Sequence, residues 1–394
     1  MKALSKRTEQ FTDSVIRRMT RVANKYGAVN LSQGFPDFDP PKEITDRLAK
    51  VASEGPHQYA LTWGAKNFRE ALARKYERFS GIKTNPEEEI VVTCGSTEAM
   101  MATMMTITNP GDKVIIFSPF YENYGADTIL SGAEPIYVPL IPPEFNFDVD
   151  VLEDAFKQGA KAIIVCNPSN PCGKVFSYEE LSIIADLAKK YDAYFVTDEV
   201  YEHIIYEPYK HVYMASLPGM KERTIVCNSL SKTYSITGWR LGYVIANPNI
   251  IDRVKKVHDF LTVGAAAPLM EAAVTGLEFE DKYYEELQAH YTHMKELFVG
   301  GLKKLGIKFT EPQGAYYVMV DVSEFGVKDD TAFCEWMAEH VGVAAVPGSS
   351  FFKEEVNNYV RFHFAKKDDT LQEALNRLAT LKEKATTATN VNWK

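Results

Sequence analysis

The sequence predicts an α/β fold in which a mostly parallel, seven-stranded sheet lies between helices and is followed by a smaller α+β lobe. Three observations lead there. Short, β-branched apolar runs recur at 89–93, 113–117, 135–139, 162–166, 194–197, 224–227 and 242–246. Most are separated by longer stretches with helical spacing, such as 97–107 and 179–190, the alternation expected of parallel strands joined by crossover helices. After about residue 280 the pattern changes to a long helix at 281–305, short strands at 316–320 and 359–364, and a final helix at 370–384. We therefore expect a large domain over 46–280 and a small domain made of 281–394 with the N-terminal arm, 1–45.

With 394 residues, 45% of them hydrophobic, the chain can bury a substantial core. Its formal charge of -9, from 44 basic and 53 acidic residues, argues against nucleic-acid binding and against a polybasic membrane surface. Cys94, Cys166, Cys172, Cys227 and Cys334 form no metal-ligand spacing, so we expect no metal site and no disulfide framework. The start, Met1-Lys2-Ala3-Leu4-Ser5-Lys6-Arg7, lacks an apolar stretch of signal-peptide length, and the expectation is a cytoplasmic protein.

The most informative segment is Ser229-Leu230-Ser231-Lys232-Thr233-Tyr234 with Gly238-Trp239-Arg240-Leu241-Gly242-Tyr243. It puts a lysine just beyond an apolar strand, with serines before it and an arginine after it. At its reference pKa a lysine is a free amine in only about one molecule in a few thousand at neutral pH, so a nucleophilic lysine needs a desolvated, cation-rich pocket. Arg240 supplies such a charge while gripping a phosphate. Pyridoxal phosphate held on a lysine fits this combination.

The ends of other predicted strands carry matching chemistry. Gly95-Ser96-Thr97-Glu98 opens a helix, where backbone amides and the dipole favour an anion; a plain N-cap is the competing reading. Asn167-Pro168-Ser169-Asn170-Pro171-Cys172-Gly173 is a turn that aims amides at the sheet edge. Asp198, in Asp198-Glu199-Val200-Tyr201, is an acid at a buried strand end and needs a cationic partner such as a protonated pyridine nitrogen. Tyr121, in Ser118-Pro119-Phe120-Tyr121-Glu122-Asn123-Tyr124, offers a ring for stacking. Arg361 interrupts an alternating strand, Tyr359-Val360-Arg361-Phe362-His363-Phe364, and pairs with a carboxylate if it faces the inter-lobe cleft.

Together these residues, from Leu31-Ser32-Gln33-Gly34-Phe35-Pro36-Asp37-Phe38 to Arg361, resemble the class I aminotransferases of the fold-type I pyridoxal phosphate enzymes, the aspartate, aromatic and kynurenine aminotransferases among them. The resemblance implies that Lys232 is the Schiff-base lysine and general acid/base, that Asp198 holds the pyridine nitrogen, and that Asn170 and Tyr201 contact the ring oxygen. It implies that Tyr121 stacks on the ring and that Ser96, Thr97, Ser229 and Arg240 hold the phosphate, with Tyr59 reaching it from a partner subunit. Gly34, Asn170 and Arg361 bind the substrate carboxylate, and the enzyme is a homodimer with shared sites. It transfers an amino group from an L-amino acid to a 2-oxo acid such as 2-oxoglutarate by a ping-pong mechanism.

The donor is less well specified. Thr97 stands where some aspartate-specific members carry a lysine, and Ile16 where some kynurenine or glutamine aminotransferases carry a tryptophan. The expected donors are aspartate, an aromatic or another neutral amino acid; Arg17 or Arg18 reaches a distal carboxylate only if it leaves the surface. A pyridoxal phosphate lyase acting on carbon–sulfur bonds uses the same core residues. A non-catalytic pyridoxal phosphate-sensing regulator lacks room for a DNA-binding domain, and a dinucleotide enzyme lacks its Gly-x-Gly-x-x-Gly.

Overall fold

The computed structural model describes residues 2–11, 13–389 and 391–394. Its main sheet contains the strands Ile90–Thr93, Lys113–Ser118, Glu134–Ile141, Asn146–Phe147, Ala160–Cys166, Tyr194–Asp198, Thr224–Ser229 and Gly242–Ile245. The seven expected strands are present, and the two-residue strand Asn146–Phe147 adds an antiparallel eighth at the edge beside Leu140 and Ile141. Its brevity gives it no periodicity to read in the sequence. Five neighbouring strands run parallel, and Gly242–Ile245 runs antiparallel to both Thr224–Ser229 and Ile90–Thr93.

That register assembles the site. Cys166 lies beside Asp198, and Asp198 beside Cys227; Gly242 pairs with Ser229 on one side and Thr93 on the other. The carboxyl ends of the parallel strands thus share one edge, where open α/β sheets bind ligands. The core strands are apolar on both faces because helices cover both.

A second sheet joins Lys308–Phe309, Tyr317–Asp321, Val346–Pro347 and Tyr359–His363, all antiparallel. The helix Asp281–Lys304 precedes it. The final helical stretch is two helices, Asp368–Leu378 and Leu381–Thr387, rather than one. The N-terminal arm joins this part of the molecule: Val29–Asn30 pairs in parallel with Val343–Ala344, and the amide of His363 donates to the carbonyl of Leu31 at 3.0 Å. On the helix Gly95–Ile107, Met100 and Met104 are buried, Met101 faces a cavity and Met105 is exposed. Among the described residues no helix is long and apolar enough to cross a membrane.

Candidate active site

A cavity of about 870 Å³ opens between the strand ends of the large sheet and the second sheet. Lys232 follows the strand Thr224–Ser229 in a turn anchored by Ser231, whose amide reaches the Ser229 hydroxyl at 3.3 Å. Its Nζ reaches the Gly34 carbonyl at 3.4 Å. Burial, reinforced by Arg240 and Arg361 and opposed by Asp198, brings the amine down to about 8. Both features expected from the sequence contribute, desolvation first and the neighbouring cations after it.

Asp198 is buried at the end of Tyr194–Asp198. One oxygen accepts the Tyr124 hydroxyl at 2.7 Å and the other the Val200 amide at 3.2 Å. Burial still raises its carboxyl to about 6, with the Tyr124 bond and Lys232 pulling it back. A carboxylate in this position has much to gain from a cationic partner.

The helix Gly95–Ile107 begins without a side-chain cap at Cys94. Glu98 turns back instead, accepting the Cys94 amide at 2.5 Å and contacting His258 Nδ1 at 2.6 Å. Ser96 and Thr97 are therefore not spent on capping and face the cavity. Gly95, at φ 81°, and Gly242 keep this end open: a Cβ on Gly95 would run into the Arg240 guanidinium, and one on Gly242 into the backbone of Gly95 and Ser96. Arg240 itself adopts a left-handed conformation, φ 54°, and donates to the Thr237 carbonyl at 2.8 Å. A helix N-terminus, three hydroxyls from Ser96, Thr97 and Ser229, and this guanidinium make an anion cradle.

Arg361 lies across the cavity, with 0% of its surface exposed. It donates to Asn170 Oδ1 at 2.6 Å and to the Ser32 carbonyl at 2.8 Å, and its plane covers the rings of Tyr317 and Phe351. Its Nε is buried without a partner, a donor suited to a carboxylate. Gly34 is pressed against Tyr317, so that any Cβ there would collide with the phenol.

All the cavity residues named from the sequence line this one space: Gly34, Ser96, Thr97, Tyr121, Asn170, Asp198, Tyr201, Ser229, Lys232, Arg240 and Arg361. Tyr59 does not; it stands 87% exposed. Arg18 pairs with Glu335 at 3.2 Å, whereas Arg17 lines the cavity mouth beside Ile16. Sequence reasoning missed Tyr124 and Tyr317. The latter shares a 2.9 Å hydrogen bond with the Tyr201 hydroxyl, and neither lies in a motif that distinguishes it from a core tyrosine. Tyr124→Phe removes a donor from Asp198, so the carboxyl rises further and is less ionised at neutral pH. Fluorescence titration of the apoenzyme should find pyridoxal phosphate bound about 5- to 10-fold more weakly; unchanged affinity would refute this role.

A lowered-pKa lysine facing a buried acid, between an anion cradle and a carboxylate-seeking arginine, is a donor set that fits pyridoxal phosphate together with an amino acid. The family model for aminotransferase class I and II matches residues 26–378. The chain is 34% identical over 393 residues to the probable N-succinyldiaminopimelate aminotransferase DapC of Mycobacterium tuberculosis, covering 97% of this chain and 99% of that one. The solved N-succinyldiaminopimelate aminotransferase from Mycobacterium tuberculosis superposes with a TM-score of 0.93 at 35% identity, over 96% of this chain and all of that chain (100%). The methionine aminotransferase of Escherichia coli is 33% identical over 373 residues, 94% of this chain and 97% of its own. The chain belongs to the class I and II aminotransferases and is a pyridoxal-phosphate-dependent transaminase.

Proposed function

We propose that this enzyme moves the amino group of an L-amino acid to a 2-oxo acid such as 2-oxoglutarate, with Lys232 as its catalytic base and acid. The observation that carries the reading is the placement of Lys232, Asp198 and Arg361 around one cavity. Pyridoxal phosphate supplies an aldehyde to carry the amino group and a ring to withdraw electrons. Ser96, Thr97, Ser229 and Arg240 hold its phosphate, Tyr121 packs on its ring, and Asn170 and Tyr201 face its ring oxygen. Asp198 keeps its pyridine nitrogen protonated, with Tyr124 orienting the carboxylate. Arg361, Asn170 and the Gly34 backbone fix the substrate carboxylate. Once displaced, the Lys232 amine would take the proton from the substrate α-carbon and deliver it to the carbon of the former aldehyde, two atoms away.

The same reading divides the chain into a large domain, 46–280, and a small domain, 1–45 with 281–394, so that the Asn170–Arg361 bond joins the two across the site. It also makes the enzyme a homodimer. Tyr59, Leu61, Phe260, Leu261 and Val263 are exposed, and the Thr62 carbonyl bonds His258 at 2.8 Å, tying their two segments together. Such an apolar surface beside the anion cradle suits a second copy whose Tyr59 completes the phosphate site. Five free cysteines suit a reducing cytoplasm.

The expected donors are aspartate, an aromatic or another neutral amino acid, because Thr97 brings no cation and Ile16 contributes a small apolar wall. Initial rates with varied donor and acceptor should give parallel double-reciprocal lines, as a ping-pong exchange requires. Intersecting lines would refute the scheme.

A further inference from the structure

We propose that Glu122 is a specificity-determining residue that selects donors whose side chain ends in a cation, a class typified by ornithine. This inference rests on the transaminase reading above and revises its list of donors. Glu122 lines the same cavity as Arg361 and immediately follows Tyr121. Its Oε1 accepts the hydroxyl of Ser14, the N-cap residue of the helix Val15–Tyr26, so the carboxylate is held where the start of that helix meets the segment following the strand Lys113–Ser118. Among the described residues it has no lysine, arginine or histidine within ion-pair distance.

Its negative charge bears on both Arg361 and Tyr121. A substrate whose carboxylate occupies Arg361 therefore meets, in the same cavity, an acid that no ion pair holds. An anionic side chain pays for that proximity, an apolar one leaves it uncompensated, and a terminal ammonium satisfies it. Arg17 is the other charge at this mouth, on the first turn of the same helix, and it is solvent-exposed. Its charge acts on Tyr121 in the opposite sense to that of Glu122, but its exposure to solvent screens it.

The test uses the holoenzyme and two carboxylates that lack an α-amino group, pentanoate and 5-aminopentanoate, titrated by their perturbation of the cofactor spectrum. The second should bind about 10- to 100-fold more tightly than the first. Glu122→Gln keeps a carbonyl for Ser14 and should erase that difference, together with the ornithine-over-norvaline ratio of kcat/KM. Ser14→Ala removes the hydrogen bond but keeps the charge, and should retain both. Equal binding of the two carboxylates, or a preference that survives Glu122→Gln, overturns the inference while leaving the transaminase intact. A preference lost equally in Ser14→Ala overturns it in favour of a merely structural Glu122. Failure of any carboxylate to perturb the spectrum, with no amino acid turned over, refutes the transaminase reading itself.

Discussion

Replacing Lys232 by alanine is expected to lower transamination by at least about 10⁴-fold, because the variant loses both the attachment point and the group that moves the proton. Neighbouring side chains offer no substitute: Asp198 is held by Tyr124 and the Val200 amide, and Tyr201 by Tyr317. The wild-type apoenzyme gives the matching pH signature. With the amine at about 8, about one-tenth of molecules carry a free amine at pH 7, against about one in three thousand at the ordinary value. A depressed lysine is reactive above its folded pKa and protected below it. Reloading with pyridoxal phosphate should therefore speed up about tenfold per pH unit towards 8 and then level off. Rapid reloading that is flat from pH 6 to 9, or measurable turnover by the alanine variant at wild-type rates, would contradict this role.

Arg361→Lys carries the second large effect. The guanidinium divides its donors between Asn170 and Ser32 and leaves Nε unpartnered, the donor that the proposed function assigns to the substrate carboxylate. A lysine keeps the charge but cannot reproduce the fork, and it leaves acceptors unpaired in a fully buried place. We expect kcat/KM to fall by about 10²- to 10³-fold for every donor and acceptor, mostly through KM, since both half-reactions present a carboxylate to the same arginine. Pentanoate binding to the holoenzyme should weaken in parallel, while the cofactor band persists. A loss confined to one substrate would show that the residue reads side chains instead.

The fold was legible because its strands are buried on both faces and read as apolar runs such as 113–117 and 224–227, separated by helical spacing. What escaped was short or set by tertiary contacts. The strand Asn146–Phe147 owes its existence to pairing with Leu140 and Ile141, and the last helix breaks between Leu378 and Leu381 with no glycine or proline to announce it. The site was legible where a residue type is costly in its setting: a lysine between serines, an acid at a strand end, an arginine inside an alternating strand. Tyr124, Tyr317 and Glu122 carried no such signal, since a tyrosine belongs in a core and a glutamate on a surface. Their importance comes from partners distant in sequence, Asp198, Tyr201 and Ser14.

The measurement that most directly tests whether Lys232 and Asp198 serve a transaminase is the visible absorption spectrum of the purified enzyme during sequential additions. The bound-cofactor band should bleach when one amino acid donor is added alone and return when a 2-oxo acid follows, and it should be missing from Lys232→Ala. A band that stays unchanged in Lys232→Ala, or one that never bleaches while pyruvate and ammonia accumulate from a cysteine conjugate, would contradict the account.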